Sequence, residues 1–179
     1  MPFHPARTRR TSGGPPTRSY LRDGRAPLPA RETTSRVMSA NRGKDTTPEL
    51  ALRRELGRLG IRGYRLHQSS LAGRPDLSFG RKRVAVFVHG CFWHRCPRCD
   101  LPLPKTHTAW WQAKFARNRA RDEAKERHLA KDGWRVLILW ECQIREDVTR
   151  SSRSVEQSLR DATLTPAHSV SKGGPLRGH

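Results

Sequence analysis

The sequence predicts an α/β sandwich built around a mixed sheet. Three observations carry this. One continuous apolar run, Val84-Ala85-Val86-Phe87-Val88, and a second stretch, Trp134 through Trp140, apolar but for Arg135, have the composition of buried strands. Two segments, one entered at Thr47 and one at Thr108, carry apolar residues at helical spacing and stop at Gly60 and Gly133. The order helix, three strand-like pieces, helix, strand places helices against a sheet rather than beside one another.

Each element has a local reason. For the first helix, Thr47 is the expected N-cap, Pro48 suits the first helical position and Glu49 complements the positive helix end. Leu52, Leu56 and Leu59 form its apolar stripe. Strand-like pieces follow at 63–67, 76–79 and 83–88, the last two joined as a hairpin through Gly80-Arg81-Lys82. The cysteine-rich stretch is expected as a loop, prolonged by Pro102 and Pro104. A long helix spans 108–132. Its Trp111, Phe115, Asn118, Asp122 and Leu129 share a narrow arc, so an aspartate interrupts the apolar stripe. An unpaired buried carboxylate costs several kcal/mol, on the order expected for a desolvated charge, so Asp122 needs a specific partner. An ordinary salt bridge to an arginine is one solution. Glu49, on the flank of the leucine stripe, poses the same question.

Composition narrows the partner. Among 179 residues, 36 Lys and Arg face 16 Asp and Glu, a net charge of +20. That excess points to a polyanion, most often nucleic acid. A generally basic, ribosomal-type protein is the plainer alternative. No run of 18 apolar residues predicts a membrane span, and no apolar core near the N-terminus predicts a secretory signal. A transit peptide stays open for the basic, acid-poor start. Residues 1–34 are expected to be a basic disordered tail, 35–145 the folded domain, and 146–179 a flexible tail with at most a short helix near Val155.

The chemistry concentrates in His89-Gly90-Cys91-Phe92-Trp93-His94-Arg95-Cys96-Pro97-Arg98-Cys99. Cys91, Cys96 and Cys99, with Cys142 at the end of the last strand, offer four thiolates for a closed, structural zinc site. Free buried thiols are the alternative. His89 and His94 could move a proton in phosphodiester hydrolysis or serve as structural histidines. Phe92 and Trp93 either pack against the knuckle or insert between bases. In Gly73-Arg74-Pro75-Asp76, Asp76 opens a strand beside Val88. It is a candidate ligand for Mg²⁺, or simply a turn residue.

Taken together, these pieces resemble the very-short-patch repair (Vsr-like) DNA mismatch endonucleases. The matching residues are Met38, Lys44 to Glu49, Gly73 to Asp76, Phe87 to His94, Asn118 through Asp122, and Gly133 to Cys142, in family order. The resemblance covers about residues 35 to 143. It implies a restriction-endonuclease-like, PD-(D/E)XK-type mixed sheet with a structural zinc knuckle. It implies an enzyme that nicks one strand 5′ of a thymine mispaired with guanine, the product of 5-methylcytosine deamination. By that resemblance Asp76 and the Val88 backbone carbonyl bind catalytic Mg²⁺. His94 and Asp122 form the general-base couple, His89 sits beside the scissile phosphate, and Glu49 supports the site. Phe92, Trp93 and, from the opposite groove, Met38 intercalate. Cys91, Cys96, Cys99 and Cys142 hold Zn²⁺.

The sequence departs from the family pattern at three places. Val88 stands where a threonine is common, Cys96 replaces a histidine zinc ligand, and the spacing to Cys99 differs by one. The expected partner is double-stranded DNA with a T:G mismatch, with mismatch-repair proteins as further partners. The expected setting is a cytoplasmic, nucleoid-associated monomer without membrane contact. A related DNA nickase of other specificity and a zinc-stabilised DNA-binding module without activity are the competing readings. Asp76, His94 and Asp122 together argue against the second of these.

Overall fold

A computed structural model describes residues 43–164. The expected N-terminal tail and Met38 lie outside them. The elements are α1 (Thr47–Arg58), β1 (Arg65–Leu66), β2 (Leu77–Phe79), β3 (Val84–His89), α2 (Cys91–His94), α3 (Thr108–Lys131), β4 (Arg135–Trp140), α4 (Glu141–Glu146) and α5 (Val148–Leu164). The strands form one mixed sheet in the order β1-β2-β3-β4. β2 and β3 pair antiparallel through a 3₁₀ turn at Gly80–Lys82, as the hairpin expectation required. β3 and β4 pair parallel, Val84 opposite Arg135 through His89 opposite Trp140. A parallel pair needs a long crossover, which α3 supplies.

β3 explains its own sequence. Val84 and Val86 face a core made with Leu52 and Leu56 of α1, Leu139 of β4, Ile144 of α4 and Val155 of α5. Ala85 and Phe87 face the other side, against Leu129 of α3, with Leu71, Ala72, Trp134 and Val136 packed around. A strand covered on both faces has no position for a polar residue, hence the unbroken apolar run. α1, α4 and α5 lie on one face and α3 on the other, an α/β sandwich.

Two expectations are corrected. The N-cap of α1 is Thr46, one residue before the expected Thr47. Thr46 is the extended residue, and its hydroxyl donates to Glu49 Oε1 at 2.7 Å instead of capping the backbone. The second correction concerns residues 146–164, expected to belong to a flexible tail. Of these, Val148–Leu164 form α5, whose Val155 and Ser152 are fully buried. Val148, Ser152, Val155, Leu159 and Ala162 recur every three or four residues and form one face toward α1. Serines within that face dilute its hydrophobicity, which is why composition masked it. Among the described residues no helix is long and apolar enough to cross a membrane.

Candidate active site

The two parallel strands end side by side at His89 and Trp140. In sheets with parallel strands, ligand clefts form beyond the carboxyl ends of those strands. Here a cleft of about 860 Å³ opens there, room for more than a single ion. β2 runs the other way, so its beginning meets the end of β3. The register Leu77 opposite Val86 puts Asp76 beside Phe87 and Val88. The Val88 N–H accordingly donates to Asp76 Oδ2 at 2.7 Å. Hairpin geometry thus delivers the carboxylate to the cleft floor.

Asp76 is a stressed acid. Burial pushes its pKa up to about 6, aided by the Glu49 charge and only partly offset by the Val88 N–H. A carboxylate in that condition gains from a cation. Glu49, 4 % exposed, sits at the first turn of α1. It accepts from the Asp45 N–H at 3.0 Å and from Thr46. Between Glu49 and Asp76 lies a residue that no sequence pattern singled out, His67. Its Nδ1 is 3.6 Å from Asp76 Oδ1 and its Nε2 is 3.8 Å from both Glu49 Oε2 and Asp45 Oδ1. Nothing in the local pattern marks it, because its partners lie in other segments of the chain.

On the opposite wall, His94 Nδ1 and Asp122 Oδ2 are 2.5 Å apart, and Lys125 Nζ lies 3.2 Å from Asp122 Oδ1. This answers the interrupted stripe of α3: the partners of Asp122 are a histidine and a lysine, not an arginine. Burial alone would raise the Asp122 pKa. The hydrogen bond and charge of His94, with Lys125, reverse this and hold it below the usual carboxylate range. An ionised Asp122 can only accept, so His94 Nδ1 carries a proton and donates it to Asp122 Oδ2. His89, 8 % exposed, stacks on His94 with ring centroids 4.0 Å apart. Burial, then the nearby His94, pushes its pKa down to about 4, so it is neutral near pH 7. Lys125 also carried no flag in the sequence beyond its place three residues after an acid on one helix face.

His94 is placed by α2, a single turn where a loop was expected. Cys91 N–H donates to Glu141 Oε2 at 3.2 Å, which supplies the acceptor that a turn starting at Gly90 needs. Phe92 and Trp93 on this turn are half-buried. Phe92 packs edge-on against Trp111 and Phe115, with centroids at 5.4 and 5.3 Å. Trp93 lies 6.1 Å from Trp111, and its carbonyl accepts from Asn118 Nδ2 at 3.1 Å. Both rings also line the cleft, so packing and exposure toward the site coexist.

Behind the turn, Cys91, Cys96, Cys99 and Cys142 converge, with ligand atoms all within 4.8 Å of one another. Cys142 arrives on the first turn of α4 because β4 ends beside β3. Cys96 Sγ and Cys142 Sγ are 3.7 Å apart. A tetrahedron of Zn–S bonds of about 2.3 Å has sulfur separations of about 3.8 Å, so the donor set fits zinc. Burial pushes the Cys91 thiol far up, whereas at Cys96 the same effect is overcome by the Arg98 and Cys99 N–H groups.

Comparisons with known proteins point to one family. The family described as DNA mismatch endonuclease Vsr matches residues 29–100. The chain is 44 % identical over 108 residues to Type II nicking enzyme V.XorIIP of Xanthomonas oryzae pv. oryzae, covering 60 % of this chain and 79 % of that one. It is 41 % identical over 129 residues to Type II nicking enzyme V.NaeI of Lentzea aerocolonigenes, covering 69 % and 76 %. It is 38 % identical over 129 residues to DNA mismatch endonuclease Vsr of Escherichia coli (strain K12), covering 72 % and 82 %.

Proposed function

The chain belongs to the Vsr family of DNA mismatch endonucleases, and on that premise we propose that it nicks one strand of duplex DNA on the 5′ side of a thymine mispaired with guanine. The observation that carries the reading is the pairing across one cleft of an acid suited to a cation, Asp76, with a carboxylate-oriented imidazole, His94–Asp122. The sheet is read as restriction-endonuclease-like, with residues 35–164 as its domain.

Asp76 and the Val88 carbonyl would hold Mg²⁺, both hard oxygen donors of the kind that ion takes. Such an ion supplies charge stabilisation to a phosphate whose negative charge grows during hydrolysis. The protein supplies the rest. His94 Nε2, with Asp122 holding Nδ1, accepts the proton of the attacking water. His89, neutral and stacked on His94, keeps that ring in plane and presents a polar edge to the phosphate. Glu49 fixes the approach of α1 to Asp76. Cys91, Cys96, Cys99 and Cys142 would hold Zn²⁺ away from the chemistry, since four protein ligands leave no open position. Val88 in place of a threonine is compatible with this, because the carbonyl and not the side chain is used.

Phe92 and Trp93 are read as the wedge at the mispair, with Met38 entering from the other groove. Their half-buried seat on Trp111 and Phe115 supports a rigid wedge. Unstacking a step costs a few kcal/mol, roughly, and least at a mismatch. A monomer acting on an asymmetric lesion fits this use.

Matched, T·G and other mismatched duplexes, incubated with Mg²⁺ or with EDTA, test the proposal. Mg²⁺-dependent nicking only 5′ of the T in T·G duplexes is expected. No cleavage of any duplex would favour a DNA-binding module, and equal cleavage of matched duplexes a nickase of other specificity. In the same assay Phe92→Ala/Trp93→Ala should lose at least about tenfold of the preference for T·G, the scale of one lost unstacking contact. An unchanged preference would remove the wedge role.

A further inference from the structure

Lys125 is a cation in the cleft that the chemistry above does not use. Its Nζ lies 3.2 Å from Asp122 Oδ1, while the other oxygen of that carboxylate meets His94 at 2.5 Å. Asp122 is therefore held at both oxygens. Pairs at i and i+3 on an exposed helix face wander and contribute little. This one is different, because the Asp122 side chain is only 13 % exposed and the lysine stem, although the side chain as a whole is 38 % exposed, packs on Gly73. The stem crosses Gly73 so closely that a Cβ there would lie 2.7 Å from Lys125 Cδ and 3.0 Å from Cγ. Gly73 also has φ +76°. Any other residue would be strained twice, by its backbone and by the lysine. Gly73 opens the loop that delivers Asp76. One side chain thus touches both walls of the cleft, the Asp76 loop and the carboxylate that orients His94.

We propose that Lys125 is a positioning residue of the nicking reaction: its ammonium grips Asp122, its stem seats the Gly73 loop, and together they set the separation of Asp76 from His94. The inference rests on the roles proposed above for those two residues. Its physical basis is that reacting groups misplaced by about 1 Å can lose as much as a hundredfold in rate. The ammonium is committed to Asp122, so its contribution belongs to the rate and not to DNA affinity.

The two halves of the side chain can be separated. Lys125→Met keeps a long stem without charge, Lys125→Ala removes both, and Lys125→Arg keeps both. Single-turnover nicking of a T·G duplex, equilibrium binding of that duplex in EDTA, and the His94 Nδ1–H proton resonance of the DNA-free protein are measured for each. Lys125→Met should nick about tenfold more slowly, Lys125→Ala up to about a hundredfold, and Lys125→Arg within about threefold of wild type. Duplex affinity should change by less than about threefold throughout, as expected when only the chemical step loses stabilisation. The resonance should shift and exchange faster in the methionine and alanine variants and return in the arginine variant. A wild-type nicking rate in Lys125→Ala would overturn the proposal, and so would a loss confined to affinity. Should Lys125→Ala fail to fold, Lys125→Met carries the test. Should the wild-type protein nick no duplex, the proposed reaction falls, and an unmoved resonance would then overturn the role of Lys125 independently.

Discussion

Asp76→Asn is expected to abolish nicking and, in the absence of a divalent cation, to make the protein more stable. The two effects share one cause. The folded-state pKa of Asp76 is about 6 against an ordinary 3.8, because burial and the Glu49 charge disfavour the anion. A folded pKa above the unfolded one means that the folded state binds the proton more tightly. The stability contribution is therefore complete below pH 3.8 and is lost as the pH rises through about 6. At pH 7.5 the ionised acid costs on the order of 2–3 kcal/mol, since each tenfold change in proton affinity is worth about 1.4 kcal/mol. Asparagine keeps an oxygen for the Val88 N–H and removes the charge. Thermal unfolding in EDTA at pH 7.5 should show the variant more stable, with the gap closing toward pH 4. Addition of Mg²⁺ should stabilise the wild-type protein and leave the variant unmoved. Duplex affinity in EDTA should be retained, since Asp76 is an acid and its loss removes repulsion of phosphate. An Asp76→Asn protein that still nicks, or is less stable at every pH, would take Asp76 out of the cation site. The same group sets the pH dependence of cation binding. Affinity should weaken by about tenfold for each step of one in pH below about 6, as protons compete for the carboxylate.

Cys142→Ser carries the second large effect. Residues 95–107 have no regular structure and little apolar burial of their own. Contacts that hold the stretch include Arg95 to the Leu101 carbonyl and an exposed pair between Arg98 and Glu146. The convergence of Cys91, Cys96 and Cys99 on Cys142 is what fastens it to the end of β4. With zinc there, the variant should lose its metal and at least about 4 kcal/mol of stability, the scale that separates loss of a metal site from ordinary substitutions. Nicking should fall with it, since α2 carries His94 and begins at Cys91. Metal analysis of purified protein alongside thermal unfolding decides this. Undiminished zinc in Cys142→Ser would exclude Cys142 as a ligand.

Much of this was legible in the sequence, and for identifiable reasons. β3 was plain because a strand covered on both faces must be apolar throughout, and β4 because it is apolar from Val136 to Trp140, although as the outermost strand of the described sheet it is only partly buried. The four cysteines were plain because few chemistries use three thiols within nine residues. The oddity of Asp122 was plain from helical periodicity, although its pairing with His94 came from family resemblance and not from spacing. What escaped was of another kind. α5 was hidden because serines interrupt its buried side: Ser151 and Ser152 are both buried, Ser151 donating to the Asp147 carbonyl while the Ser152 hydroxyl meets no partner among the described residues. His67 and Lys125 were invisible because their significance lies in neighbours 9 to 52 positions away, Asp76 for one and Gly73 for the other.

The division follows the range of the forces. The sequence by itself determined α1, α3, the β2–β3 hairpin and β4, the thiol set, the basic character and the family, since each is a matter of residue type and short spacing. Only the tertiary structure decided which groups share a cleft. The antiparallel register of β2 on β3 brings Asp76 to Val88, and the parallel register of β4 on β3 brings Cys142 to Cys91. The crossover of α3 sets Asp122 against His94 and Lys125 against Gly73. Distances of a few ångströms between residues dozens of positions apart are fixed by sheet register and core packing, and those belong to the folded chain as a whole.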